Sequence, residues 1–281
     1  MGKHTDKQLT HNGCFVEIQG HKIHLYVSGR EHSHTLVFMS GSATVAPVYD
    51  FKNLYEKLTD RYNVVVIEKF GYGYSDIFEA DCDIDTFVSI DRTALEKAQM
   101  QKPYILLPHS MSGLEAIRWK QKFPDEIKAI IGIDMATPFA YEKWTEKKIQ
   151  KTIKMFSLVK RLRLQHIPHI YPLSNRSLLP NEIKQQKLLM KRNAFNICYI
   201  NEAKTVLQNA RTVSSLDYIS CPMILFSSNG KQIDKYWVEN QQKFAEIMNA
   251  KLICYDCGHY IHYYKSLEMA NEIKEFINSK I

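Results

Sequence analysis

Three residue types that together activate a hydroxyl nucleophile stand in comparable places in this 281-residue chain. Ser110 follows the apolar run Tyr104-Ile105-Leu106-Leu107, Asp134 follows residues 129–133, and His259 follows residues 251–255 within Asp256-Cys257-Gly258-His259. A serine hydroxyl needs a base, a histidine titrates in the right range, and a carboxylate orients the imidazole and stabilises its cation. Serine, acid and histidine occur in that order along the chain. Around Ser110 the sequence reads Pro108-His109-Ser110-Met111-Ser112 and runs into Gly113-Leu114-Glu115-Ala116. This is strand, sharp turn, helix, the setting that lifts a serine off a strand end above the N–H groups of a new helix. The usual spelling is G-x-S-x-G, and here Pro108 and Ser112 replace its two glycines.

The elements that must place these residues are legible from periodicity. Two short β-like runs, residues 14–18 and 22–27, flank Gln19-Gly20-His21 and predict a hairpin. Residues 35–39 form a continuous apolar run, as in a strand buried on both faces, and residues 64–67, 104–107, 129–133, 223–226 and 251–255 read as further strands. Helical patterns separate them: Phe51, Leu54, Tyr55 and Leu58 at i, i+3, i+4 and i+7, residues 86–100, a helix after Ser110 ending at Pro124, one carrying Trp237, Gln241, Phe244 and Met248, and a last one from Ser266. Strand–helix alternation from residue 35 to 134 predicts a mostly parallel sheet covered on both faces. Residues 137–219 break the alternation with helical segments near 140–160, 180–193 and 198–210, with Pro168, Pro172 and Pro180 as breaks. The expected organisation is therefore one core, residues 1–136 and 220–281, with a helical insertion at 137–219. Ligands of open parallel sheets sit at the carboxyl ends of the strands, where Gly41-Ser42, Ser110, Asp134 and His259 all fall.

Composition sets bounds on function. A 45% hydrophobic content fills a sizeable core. The first residues lack an apolar signal region and no stretch approaches 18 apolar residues, so a cytoplasmic chain without membrane insertion is expected. In that compartment the six cysteines are expected to be thiols. Cys254 and Cys257 have C-x-x-C spacing with no second pair, which reads as packing and not zinc or redox chemistry, and nothing calls for a cofactor. The formal charge is +7, and the excess lies in residues 137–220, with 15 Lys+Arg against 5 Asp+Glu. No basic–aromatic nucleic-acid motif accompanies it, so a small-molecule substrate is the expected partner.

With these residues in view, the chain from about residue 13 onward resembles the α/β-hydrolase superfamily, and within it the capped group that includes prolyl aminopeptidases, epoxide hydrolases and haloalkane dehalogenases. Four stretches carry the resemblance: Ser40-Gly41-Ser42 at the oxyanion turn, Gly71-Tyr72-Gly73-Tyr74-Ser75-Asp76 at the glycine turn, the elbow at Ser110, and Gly258-His259 with His262 at the C-terminal histidine motif. The resemblance implies an α/β-hydrolase fold whose insertion is a cap, Ser110 as nucleophile and His259 as base. A serine, unlike a carboxylate, points away from the dehalogenase and epoxide-hydrolase branches. The oxyanion is then expected on the backbone N–H groups of Met111 and Ser42.

The acid has two candidates. The family's usual position, after residues 223–226, holds Ser227-Ser228-Asn229-Gly230-Lys231, with Asp234 the nearest carboxylate. The other known position, after the strand preceding the cap, holds Asp134, which is favoured because it follows its strand directly. The expectation is a serine hydrolase cleaving an ester or amide through an acyl-enzyme, esterase-like, beneath a cap rich in Phe139, Tyr141, Trp144, Met155, Phe156, Tyr171, Phe195 and Tyr199. An aminopeptidase would need a cap carboxylate for a free amine, from Glu142, Glu146, Glu182, Glu202 or Asp217. The alternative is a catalytically silent ligand-binding homologue. His262, Ser75 and Asp76 are read as supporting residues.

Overall fold

The computed structural model of the chain describes residues 8–162, 176–214 and 219–281. Its centre is an eight-stranded sheet in the order β1-β2-β4-β3-β5-β6-β7-β8. The strands are β1 (Cys14–Ile18), β2 (His21–Ser28), β3 (Thr35–Met39), β4 (Asn63–Glu68), β5 (Tyr104–Ser110), β6 (Ile127–Met135), β7 (Met223–Ser227) and β8 (Lys251–Cys254). The expected hairpin is β1–β2, and β2 also runs antiparallel to β4, while every pairing from β4 to β8 is parallel. A parallel interior has both faces covered, which is why β3, β4 and β7 are buried at every position.

Alternate residues of each strand feed opposite cores, as the period of two requires. Val37, Met39 and Leu106 pack on one face with Leu114 and Ile117 of α4 (Ser112–Lys122) and residues of α3 (Ile84–Lys97). Leu36, Phe38, Ile105 and Leu107 pack on the other with Phe51, Leu54 and the apolar face of α10 (Ser266–Lys280). Burying a side chain such as Leu107, which is fully enclosed, stabilises by about 1.5–3 kcal/mol.

Several local expectations shift. The helix read through Phe51 to Leu58 is two single turns, α1 (Pro47–Asp50) and α2 (Lys52–Tyr55). The segment expected at 180–193 is the helix α6 (Pro180–Asn193), which Pro180 opens at the position where a missing N–H costs nothing. It stands between α5 (Glu146–Arg161) and α7 (Ile197–Thr212), which pack together in the segment joining β6 to β7. Pro168 and Pro172 lie outside the described residues. β7 is followed by α8 (Trp237–Met248), and β8 by the short α9 (Ile261–Tyr264). Among the described residues no helix is long and apolar enough to cross a membrane, and all six cysteines are free thiols.

Candidate active site

Ser110 ends β5 with φ +53°. A non-glycine residue there is strained and holds only where its surroundings fix it. Two close approaches do so. A Cβ on Gly41 would lie 2.5 Å from Ser110 Cβ, and one on Gly113 would lie 2.2 Å from the Ala136 carbonyl oxygen. The close approach thus falls on Gly113, one residue beyond the elbow's usual second glycine. Ser112, at that glycine's place, turns its hydroxyl to use by donating to the carbonyls of Met39, 2.8 Å, and His109, 2.9 Å. It ties the ends of β3 and β5 beneath Ser110.

Asp134 is the second strained residue, with φ +47°. The sequence places it just past its strand; in the structure β6 extends through Met135, and Asp134 is its irregular residue. His109 pairs with Ile133 and Ser110 with Met135, so Asp134 has no partner in β5. Aspartate tolerates this left-handed conformation better than most residues, and the kink leaves its carboxylate fully buried where three donors converge. Oδ2 meets His259 Nδ1 at 2.6 Å; Oδ1 accepts from the Ser228 N–H at 2.8 Å and the Trp237 indole N–H at 2.7 Å. Asp234 is elsewhere. Its carboxylate accepts from the Tyr236 N–H at 2.9 Å and lies 3.8 Å from Lys148.

His259 is held from three directions. Its N–H donates to Gln232 Oε1 at 3.0 Å, its ring stands edge-on to Trp237 with centroids 5.8 Å apart, and it lies 4.6 Å from the His109 ring. With Nδ1 on Asp134, Nε2 is the nitrogen left for a hydroxyl proton. Among the described residues Ser110 and His259 are not themselves joined by a hydrogen bond.

A cleft of about 210 Å³ opens beside Ser110. Ser42, Ser110 and Met111 line it together with Tyr141, Trp144 and Trp237. Among the described residues, the backbone N–H groups of Ser42 and Met111 take no partner within the protein, so two donors stand near the serine, one at the start of α4. Phe156 also reaches the cleft, whereas Tyr199 and Phe195 are buried against core loops and Met155 is 53% exposed. Tyr171 lies outside the described residues.

Sequence reasoning missed Trp237, Ser228, Gln232 and His109. Trp237 read as a helix-face residue, and its indole meets Asp134 only because β6 and β7 are neighbours; their place after β7 was the one available signal for Ser228, Gln232 and Trp237. Ser75 and Asp76 do brace the glycine turn, by accepting from the backbone N–H groups of His24 and Lys22 of β2, each at 2.8 Å. His262 packs against Phe51 and His109 with both ring nitrogens unpartnered. Burial, and secondarily the His259 charge, push its pKa down to about 3; burial, then His259 and His262, likewise hold His109 well below the usual range. Both stay neutral at pH 7 and add no charge beside His259.

This has a measurable consequence for stability. Between the unfolded His value near 6.5 and about 3, the unfolded chain protonates residue 262 and the folded chain does not, so the group costs stability as pH falls. For His262→Phe, the stability difference from wild type in urea titrations is expected to move in the variant's favour below pH 6.5, by about 1.4 kcal/mol per pH unit. A pH-independent difference would show that His262 titrates normally.

No protein-family model matches the chain. It is 45% identical over 133 residues to the uncharacterized protein YbdG of Bacillus subtilis (strain 168), which is 47% of this chain and 41% of that protein. It is 25% identical over 118 residues to 2-(acetamidomethylene)succinate hydrolase of Mesorhizobium japonicum, 42% of this chain and 41% of that enzyme. The chain thus aligns with less than half the length of either relative. Among solved structures, Cfl2 from Burkholderia cenocepacia superposes with a TM-score of 0.74 at 17% identity, covering 94% of this chain and 95% of that one. The thermophilic esterase from Thermogutta terrifontis does so at 0.69 and 16%, covering 95% and 97%. The strand order, the strained serine at the end of β5 and these superpositions establish that the chain has the α/β-hydrolase fold.

Proposed function

We propose that the protein is a serine hydrolase that cleaves an ester of a small substrate through an acyl-enzyme. The observation that carries this reading is the 2.6 Å contact between the buried Asp134 carboxylate and His259 Nδ1, beside a serine held at φ +53° on the wall of an open cleft. In the first half-reaction Ser110 Oγ attacks the acyl carbon while His259 Nε2 takes its proton, and Asp134 stabilises the imidazolium. The carbonyl oxygen becomes an oxyanion received by the N–H groups of Met111 and Ser42. Collapse expels the alkoxide, which leaves with the proton from His259. Water then attacks the acyl-Ser110 ester, His259 again removing its proton, and the acid is released with Ser110 restored.

Residues 137–219 are the cap of this reading, roofing the cleft with Tyr141, Trp144, Ile149 and Phe156. That apolar lining suits an acyl chain. The carboxylates weigh against a free amine. Glu142 lies 3.7 Å from Lys243, Glu182 2.5 Å from Lys52 and Glu202 2.8 Å from Lys69, while Glu146 is in the exposed first turn of α5. Asp217 lies outside the described residues. An ester therefore fits better than an aminoacyl substrate, in keeping with the esterase among the structural neighbours.

Purified protein is expected to react with a fluorophosphonate probe and to hydrolyse p-nitrophenyl esters in preference to aminoacyl anilides, with both activities lost in Ser110→Ala. Folded protein that takes no label would instead support a silent binding protein.

A further inference from the structure

Beneath Ser42 lies a buried ionic network that the chemistry above does not use. Lys69, just after β4, pairs with Glu115 of α4 and Glu202 of α7, each at 2.8 Å, and all three side chains are almost completely enclosed. Burial opposes the Lys69 ammonium, but the two carboxylates outweigh it and raise the lysine above its ordinary range. Glu202 thus places one oxygen on Lys69. Its other oxygen serves the opposite side. Oε2 accepts from the Tyr72 hydroxyl and, at 3.2 Å, from Ser42 Oγ. The Tyr72 oxygen in turn accepts from the Ala43 N–H at 3.0 Å.

The turn held this way is strained. Ala43 has φ +61°, a conformation that a β-carbon disfavours and that persists only where neighbours impose it. Two adjacent residues, Ser42 and Ala43, are thus fastened to one carboxylate, Ala43 through Tyr72. That carboxylate arrives on a helix inserted more than 150 residues later.

We propose that Glu202 is a positioning residue: carried by α7, it holds the Ser42–Ala43 turn, directly and through Tyr72, so that the Ser42 N–H is aimed at the acyl oxygen. The inference rests on the serine-hydrolase reading for its catalytic consequence. It makes the turn's geometry depend on the seating of α7. Lys69 offsets the Glu202 carboxylate, which would otherwise repel a developing oxyanion, while burial pushes Glu115, the lysine's second partner, up towards its neutral form.

The test uses the full chain with Tyr72→Phe, which leaves the Lys69–Glu115–Glu202 pairing in place, and with Glu202→Gln. Ester kinetics are read together with hydrogen exchange of the amides at residues 40–44. In both variants kcat is expected to fall roughly 10- to 100-fold, short of the 10²–10³ seen when an oxyanion donor is removed outright. KM should stay within about 3-fold, and exchange of the turn should rise at least about tenfold. Wild-type kcat and wild-type exchange in Tyr72→Phe would overturn the proposal, as would a rise in KM alone with the turn still protected. If the wild-type protein neither turns over esters nor takes a fluorophosphonate on Ser110, the hydrolase reading fails. The exchange measurement still decides the tether in that case, faster exchange in Tyr72→Phe supporting it and unchanged exchange refuting it.

Discussion

Asp134→Asn is expected to lower kcat for ester hydrolysis on the order of 10⁴-fold, and Asp234→Asn to leave it within about 3-fold of wild type. The difference follows from what each carboxylate touches. Asp134 Oδ2 meets the base itself at 2.6 Å, and Oδ1 is fixed by the Ser228 N–H and the Trp237 indole. An amide at residue 134 matches Nδ1–H in only one of its two orientations and carries no charge to stabilise the imidazolium. The other tautomer of His259, with the proton on Nε2, then faces Ser110 as a donor and cannot take its proton. Asp234 sits against its own turn and Lys148, so its loss changes the cleft wall and not the base. Steady-state kinetics on the two purified variants, with circular dichroism to establish folding, make the comparison. Near-native turnover in Asp134→Asn would remove Asp134 from the mechanism.

Gly41→Ala is expected to cut kcat about 100-fold or more and to cost about 1–3 kcal/mol of stability. The new methyl carbon would lie 2.5 Å from Ser110 Cβ and 3.1 Å from the His109 carbonyl oxygen. Neither atom is the end of a flexible side chain, so relief has to come from movement of the elbow or of the strand end carrying Gly41. Overpacking of this kind typically costs the stability stated, and displacement of a nucleophile by about 1 Å suffices for the loss in rate. Thermal unfolding and kcat on one preparation read the two effects together. A variant with wild-type kcat would mean that the elbow accommodates the methyl group and that the tight Gly41–Ser110 approach is not needed for turnover.

The order and types of the elements were legible because a buried parallel strand needs a continuous apolar run and a covering helix needs a 3.6-residue stripe. Residues 35–39, 64–67 and 104–107 could hardly fold otherwise. Local chemistry also marked the special positions: a serine between a strand and a helix, an aspartate and a histidine at other strand ends. What the chain could not reveal on its own was contact across the sheet. Asp134 and Asp234 were both available to His259 until the register of β6 against β5 skipped Asp134 and pointed its carboxylate at Ser228, Trp237 and the histidine.

The same limit explains the other departures. Pro108 and Ser112 read as defects of the elbow. The tight approach in fact falls on Gly113, and the Ser112 hydroxyl supplies hydrogen bonds to Met39 and His109 that a glycine could not. Glu202 read as one of five acids in a basic segment; folding buries it on Lys69 and against Ser42. Sequence by itself determined which backbone elements form, since hydrophobic periodicity and turn chemistry act over a few neighbouring residues. Tertiary structure alone decided which charged and polar side chains meet, because a buried carboxylate is tolerated only where donors from distant strands and helices converge on it.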